Sequence, residues 1–195
     1  MLIRDWKKDV LTIPNLLSLF RLVLIPVYIV IYLNAKDVTD YYVAAGILAV
    51  SCLTDLIDGK IARHFNMIST VGKILDPLAD KATQFALILC LALEHPVLWL
   101  LVGCFFVKEC FQLIAGGINL KKGKMLKGAL ISGKICTTVL FISLILMVML
   151  PNLSDKVIFI ITIVDTFFVI ITFIDYLITY SSRENKFQSL ETYTD

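Results

Sequence analysis

The chain has 195 residues, 58% of them hydrophobic, and a mean hydropathy of +0.86. That composition excludes an ordinary soluble domain and describes an integral membrane protein, with no room for a separate soluble domain beside its apolar stretches. The formal net charge of +2 says little by itself, its distribution along the chain says more, and nucleic acid is not expected as a partner.

The expected fold is all-α. Six transmembrane helices over residues 13–180 follow a juxtamembrane amphipathic helix over 1–12 and precede a polar cytoplasmic tail over 181–195. Residues 2–11 alternate apolar and charged positions at helical spacing, which suits a helix lying in the headgroup layer with Trp6 at the interface. Residues 13–33 have the length of about 20 residues that a span requires. They lack the short apolar region and small-residue cleavage site of a signal peptide, so they read as a retained span. Pro14 suits the first helical turn. Asn15, Ser18 and Arg21 recur at i, i+3 and i+6, a polar stripe on an otherwise apolar helix. The stripe reads either as a helix start with a snorkelling arginine or as the lining of a polar cavity.

The second span, 41 to about 60, brings Asp55 and Asp58 to its end. A turn over 64–70 follows, then Gly72, which permits close helix approach, and the third span with Asp76 and Asp80. Pro77 between them marks a first turn or a kink. Asp55 and Asp58 are i,i+3 and Asp76 and Asp80 are i,i+4, so each pair lies on one face of its helix. Two such helices joined by a short turn bring four carboxylates together, and like charges that close need compensating cations. An all-oxygen donor set suits hard cations such as Mg²⁺ or Mn²⁺. The plainer alternative is a pair of solvated helix ends. Apolar runs over 41–53 and 82–93 flank the carboxylates, however, and intramembrane carboxylates are functional by default.

The fourth span, 96 to about 117, carries Lys108-Glu109 near its middle, a pair that needs a polar cavity or acts as a structural ion pair. Lys121, Lys122, Lys124 and Lys127 follow, serving topology, attraction of anionic lipid and phosphorylated substrate, or both. The fifth span opens Ser132-Gly133-Lys134, where Lys134 either reaches toward a substrate or snorkels. The sixth, 157 to about 180, carries Asp165 near its centre, to which the sequence assigns no role, and Asp175 near its end. Alternate connections are rich and poor in Lys and Arg, so the positive-inside rule puts both termini and the carboxylate cluster on the cytoplasmic side. The five cysteines form no Cys-x-x-Cys pair and read as small buried hydrophobes.

The pattern Asp55-x₂-Asp58-Gly59-x₂-Ala62-Arg63-x₈-Gly72-x₃-Asp76-x₃-Asp80 resembles the complete signature of the CDP-alcohol phosphatidyltransferases, with every fixed position filled and every gap of the family's length. Pro14-Asn15-x₂-Ser18-x₂-Arg21 resembles the opening of many members. The resemblance implies an enzyme that moves a phosphatidyl group from CDP-diacylglycerol to an alcohol with release of CMP. It implies two ions, Mg²⁺ or Mn²⁺, held by Asp55, Asp58, Asp76 and Asp80, with Asp80 also the general base. It places Asn15, Asp55, Gly59, Ala62, Arg63, Ser69 and Gly72 at the nucleotide and CDP-diacylglycerol site, and it implies a homodimer among membrane lipids. Such two-ion sites clamp attacking and leaving oxygens in phosphoryl transfer.

The opening segment and Leu75-Asp76-Pro77-Leu78-Ala79-Asp80-Lys81 are similar to the branch using glycerol 3-phosphate, and also to the cardiolipin synthases. Lys108 and Lys134 are the expected acceptor contacts. The glycerophosphate branch typically has Arg-Glu where this chain has Lys108-Glu109, a second Arg at Gly116, and a Lys at Cys136. Glycerol 3-phosphate is the expected acceptor, with phosphatidylglycerol as the alternative. A reading from another class is a membrane transporter or ion pathway, which would predict discontinuous helices in corresponding positions of two repeats. The sequence shows none, and its carboxylates gather at one membrane face.

Overall fold

The computed structural model describes residues 12–64, 72–121, 124–126, 130–181 and 187–189. Among the described residues there are six α-helices: α1 (Ile13–Leu33), α2 (Val38–His64), α3 (Gly72–Glu94), α4 (Trp99–Lys121), α5 (Ile131–Met149) and α6 (Asp155–Ser181). A 3₁₀ turn, Pro96–Leu98, leads into α4. The expected amphipathic helix over 1–12 falls almost wholly outside the described residues. Among the described residues four helical stretches are long and apolar enough to cross a membrane: Asn15–Leu33, Pro96–Asn119, Ile131–Met149 and Asp155–Ser181. In α2 the apolar part is the shorter Val38–Thr54. Of the six expected spans, length and composition support four among the described residues.

The chain divides into two compact units, Met1–Glu94 with Ile145–Asn152, and His95–Leu144 with Leu153–Asp195. In the first, α1 packs against both α2 and α3. Thr12 caps α1, its hydroxyl accepting from the Asn15 N–H at 3.4 Å, with Pro14 in the first turn. Pro26 lies inside α1 and Pro77 inside α3, and both helices continue through them. Neither proline has an N–H to give the carbonyl four residues back. The buried face of α1 carries Asn15, Ser18, Arg21, Tyr28 and Tyr32, whereas Leu16, Leu19, Val23 and Val30 are exposed. Polar side chains inside and apolar ones outside invert the soluble pattern, as a lipid-facing helix requires.

In the first turn of α2, Asp40 Oδ2 accepts from the backbone N–H groups of Lys36 (2.9 Å) and Asp37 (3.3 Å). Reaching back to the residue before the helix, it closes the first turn as a capping box does. These two backbone donors hold its carboxyl below the ordinary value of 3.8. A lowered folded-state value means the stabilisation is present above pH 3.8 and lost as pH falls through the lowered value. Asp40→Asn is therefore expected to lower the neutral part of a thermal-unfolding-against-pH profile slightly and to match wild type at its acid end, so that the acid limb flattens.

In the second unit α4 packs on α6. The buried residues of α6 are Ile158, Thr162, Asp165, Thr166, Val169, Thr172, Tyr176 and Thr179, a continuous stripe at helical spacing. Hydroxyl side chains suit a helix–helix seam in lipid because they allow close approach and keep their hydrogen bonds. Thr162 donates to the Ile158 carbonyl at 2.8 Å, and Thr172 to the Ser132 carbonyl at 3.2 Å. Phe111 meets the rings of Phe173 (5.4 Å, edge-on) and Tyr180 (6.2 Å), while Tyr176 stacks on Tyr180.

A Cβ on Gly133 would stand 3.0 Å from the Tyr176 hydroxyl and 3.3 Å from its ring edge. Tyr176 is buried, so the ring has little room to withdraw. Gly133→Ala is expected to cost about 1 kcal/mol by overpacking, read as a lower unfolding midpoint in detergent micelles. The combined Gly133→Ala, Tyr176→Phe protein should recover part of it.

The two short strands β1 (Lys124–Leu126) and β2 (Phe187–Ser189) pair antiparallel, with Met125 opposite Gln188. This ladder ties three residues of the expected polar tail, by backbone, to the lysine-rich segment. No disulfide joins the cysteines, of which Cys90 and Cys136 are buried and Cys52, Cys104 and Cys110 partly so.

Candidate active site

The start of α3 presents Asp76 and Asp80 one turn apart, with Ala79 fully buried between them and Gly72 buried at the first position. Both carboxylates meet α1. Ser18, fully buried, donates from Oγ to Asp76 Oδ1. Arg21 donates from Nη1 to Asp80 Oδ1 at 2.9 Å. The side chains of this ion pair differ sharply in burial, Arg21 being 2% exposed and Asp80 49%. Of the two readings of the Asn15, Ser18 and Arg21 stripe, the geometry favours the polar lining. Arg21 points its charge at a carboxylate, not outward to a headgroup layer, and Asn15 is buried on the same face.

Pairings 58 and 59 residues apart fix α1 and α3 side by side and parallel at this end. The other end is closed by a second pairing. Tyr32 donates from its hydroxyl to Glu94 Oε2 (2.7 Å) and Tyr41 to Glu94 Oε1 (2.8 Å). Tyr32 also meets the Tyr41 ring edge-on at 5.4 Å and the tilted Tyr28 ring at 5.6 Å. One carboxylate at the end of α3 thus gathers the last turn of α1 and the first turn of α2.

Asp55, Asp58, Gly59, Ala62 and Arg63 are in the helical backbone of α2, but their side chains lie outside the described set, and Ser69 lies wholly outside it. Among the described residues no three carboxylate, imidazole or thiol groups come together. Asp76 and Asp80 are the half of the expected ligand set that is described, and they share one side of α3. Asp76 uses Oδ1 toward Ser18, and Asp80 is half exposed, so both fit the oxygen-donor half of a site for hard cations.

The two expected acceptor contacts belong to the second unit. Lys108 is buried, pairs with Glu109 and lies 5.4 Å from the centre of the Phe105 ring. Lys134 is exposed in the first turn of α5. Gly116 lies against the Tyr180 hydroxyl, 3.5 Å from where a Cβ would be, and Cys136 is buried.

Sequence reasoning left Ser18 and Arg21 unassigned, and it missed Gln84, one turn beyond Asp80. Gln84 is 2% exposed, and its Oε1 has no hydrogen-bond partner among the described residues. The i,i+3,i+6 stripe was the signal for the first two. Gln84 continues the Asp76, Asp80 spacing by four, a signal that the surrounding apolar run obscures.

A family model for CDP-alcohol phosphatidyltransferase matches residues 11–177. Among curated proteins, the CDP-diacylglycerol–glycerol-3-phosphate 3-phosphatidyltransferase of Aquifex aeolicus is 37% identical over 138 residues, 70% of this chain and 74% of that protein. The probable cardiolipin synthase (CMP-forming) of Drosophila melanogaster is 34% identical over 116 residues, 58% of this chain but 34% of that protein. A Schizosaccharomyces pombe cardiolipin synthase (CMP-forming)/mitochondrial hydrolase fusion protein is 40% identical over 94 residues, 47% of this chain. The matched part spans 15% of that fusion protein.

Proposed function

Because the chain belongs to the CDP-alcohol phosphatidyltransferase family, we propose that it transfers a phosphatidyl group from CDP-diacylglycerol to an alcohol, with release of CMP. The observation that carries this reading is the fastening of Asp76 and Asp80 to Ser18 and Arg21, which aligns two signature carboxylates at one end of α1 and α3. The site is read as lying on the cytoplasmic side with both termini, in a homodimer within the membrane.

Asp55, Asp58, Asp76 and Asp80 would hold two ions, Mg²⁺ or Mn²⁺. Bound there, the ions supply charge neutralisation at the pyrophosphate and at the departing CMP phosphate. The chain's own groups do the rest. Asn15, Gly59, Ala62, Arg63, Ser69 and Gly72 seat the nucleotide and its phosphates, with Arg63 supplying positive charge and the glycines allowing close approach. Arg21 and Ser18 hold the carboxylates of Asp80 and Asp76 in place. A carboxylate oxygen of Asp80 takes the proton of the acceptor hydroxyl as the new O–P bond forms and the bond from phosphorus to the CMP oxygen breaks.

Glycerol 3-phosphate is the proposed acceptor, in keeping with the relative from Aquifex and with Lys108 and Lys134 as its contacts. One observation favours phosphatidylglycerol as a second reading: Lys108 is already paired with Glu109, and Gly116 and Cys136 add no cation. A phosphodiester acceptor needs fewer positive charges than a phosphate monoester.

The test is CMP release from CDP-diacylglycerol by the purified protein with Mg²⁺ or Mn²⁺, each acceptor being added separately and Asp80→Asn serving as blank. Release with glycerol 3-phosphate is expected. Release with phosphatidylglycerol alone would replace the acceptor, and release with none above the blank would sink the enzyme reading and reopen the transporter class.

A further inference from the structure

Asp165 lies eleven residues into the 27 of α6, about 15 Å along its axis at 1.5 Å per residue. It is 1% exposed. Oδ2 is 2.5 Å from Ser143 Oγ on α5, and Oδ1 has no hydrogen-bond partner among the described residues. Among the described residues no ionised side chain acts on it, and Ser143 is its hydrogen-bond partner. The mechanism proposed above makes no use of it. By default a carboxylate inside a span marks an ion or proton pathway, so its chemical state bears on what kind of protein this is.

Ser143 decides the matter. Its Oγ is also 3.0 Å from the Leu140 carbonyl oxygen, one turn back on α5. A serine hydroxyl carries one hydrogen and two lone pairs. It cannot donate to the Leu140 carbonyl and to an ionised Asp165 together. An ionised Asp165 would therefore compete with the carbonyl for one hydrogen, and would hold its charge in a dry seam with a single neutral donor and a bare second oxygen. Burial of that kind drives a carboxyl group to neutralise itself.

We infer that Asp165 is a protonated, neutral carboxylic acid whose O–H donates to Ser143 Oγ, while the Ser143 hydroxyl donates to the Leu140 carbonyl. Every hydrogen in this relay then has an acceptor. The unpaired Oδ1 is a carbonyl oxygen, far cheaper to bury without a partner than an anionic one. Asp165 is thereby a proton-holding site that fixes α6 to α5, not a way-station for ions. The inference stands apart from the phosphatidyl-transfer reading and uses different residues.

The experiment is infrared difference spectroscopy on the full-length protein in lipid nanodiscs at neutral pH. Wild type minus Asp165→Asn is expected to show the carbonyl stretch of a protonated carboxylic acid. The paired stretches of an ionised carboxylate in its place would overturn the proposal. Ser143→Ala removes the acceptor, so the acid band is expected to persist and move to higher frequency. An unmoved band would break the assigned relay. If Asp165→Asn does not fold, wild type against Ser143→Ala carries the same test, because a displaced acid band appears as a paired positive and negative feature and an ionised group gives none.

Discussion

Asp80→Asn is expected to lower metal-dependent CMP release by about 10²–10⁴-fold, the range that loss of a positioned general base produces. It should also unfold earlier than Arg21→Met. The second expectation follows from the unequal burial of the pair, 2% exposure for Arg21 against 49% for Asp80. Taking the carboxylate away removes this ion pair from a guanidinium buried inside the α1–α3 seam. Taking the guanidinium away leaves a carboxylate that water reaches. Exposed pairs are worth under about 1 kcal/mol, and breaking a buried one costs about 3–5 kcal/mol. A half-buried pair that keeps an amide oxygen in place of the carboxylate falls between, at about 1–2 kcal/mol for Asp80→Asn. Arg21→Met should cost less than about 1 kcal/mol while still slowing CMP release, because Asp80 loses the group that orients it. Unfolding midpoints and initial rates on the same detergent-solubilised samples check both. A rate for Asp80→Asn equal to wild type would remove the base from the mechanism, and an earlier unfolding of Arg21→Met would contradict the burial argument.

How much of this was legible beforehand depends on whether a feature is local. The i,i+4 spacing put Asp76 and Asp80 on one side of a helix, and that is how α3 carries them. The polar stripe of α1 was visible for the same reason, since helical periodicity tells which residues share a face. The partner of a face is another matter. Ser18 with Asp76, Arg21 with Asp80 and Tyr32 with Glu94 are pairings 58 to 62 residues apart, and no spacing rule connects them. The snorkelling alternative for Arg21 was chemically sound. It gave way because Arg21 is buried and its Nη1 lies 2.9 Å from the Asp80 carboxylate on α3. Asp165 shows the converse. Its cost was readable from a charge inside an apolar run, but its remedy needed the position of Ser143 on a different helix. The β1–β2 ladder was illegible for a further reason, that three-residue strands carry no periodicity to read.

Glu94→Ala is the substitution outside the candidate active site expected to cost most in stability, about 2–3 kcal/mol, and nothing in the sequence marked it. Read linearly, Glu94 and His95 are a short polar connection between two apolar runs. In the structure the Glu94 carboxylate accepts two phenol hydroxyls from two different helices. The two bonds are unequal. Tyr41 is partly exposed, so its hydroxyl finds water when Glu94 is removed and little is lost. Tyr32 is 2% exposed, and its hydroxyl is left without an acceptor. A buried donor stranded in this way costs about 1–3 kcal/mol, and a hydrogen bond to a charged acceptor contributes about 1.5–3 kcal/mol when intact. Tyr32→Phe removes the donor along with its demand and keeps the ring contacts to Tyr28 and Tyr41, so it should cost only about 0.5–1.5 kcal/mol. The double variant is then the informative protein. If the penalty comes from the stranded hydroxyl, Glu94→Ala with Tyr32→Phe will be more stable than Glu94→Ala alone, an inversion that only coupled residues produce. Simple addition of the two single costs would mean that Glu94 acts through something other than Tyr32. Because this pairing closes α1, α2 and α3 at the end away from Asp76 and Asp80, CMP release at low temperature should change little in any of the three variants while their unfolding midpoints separate.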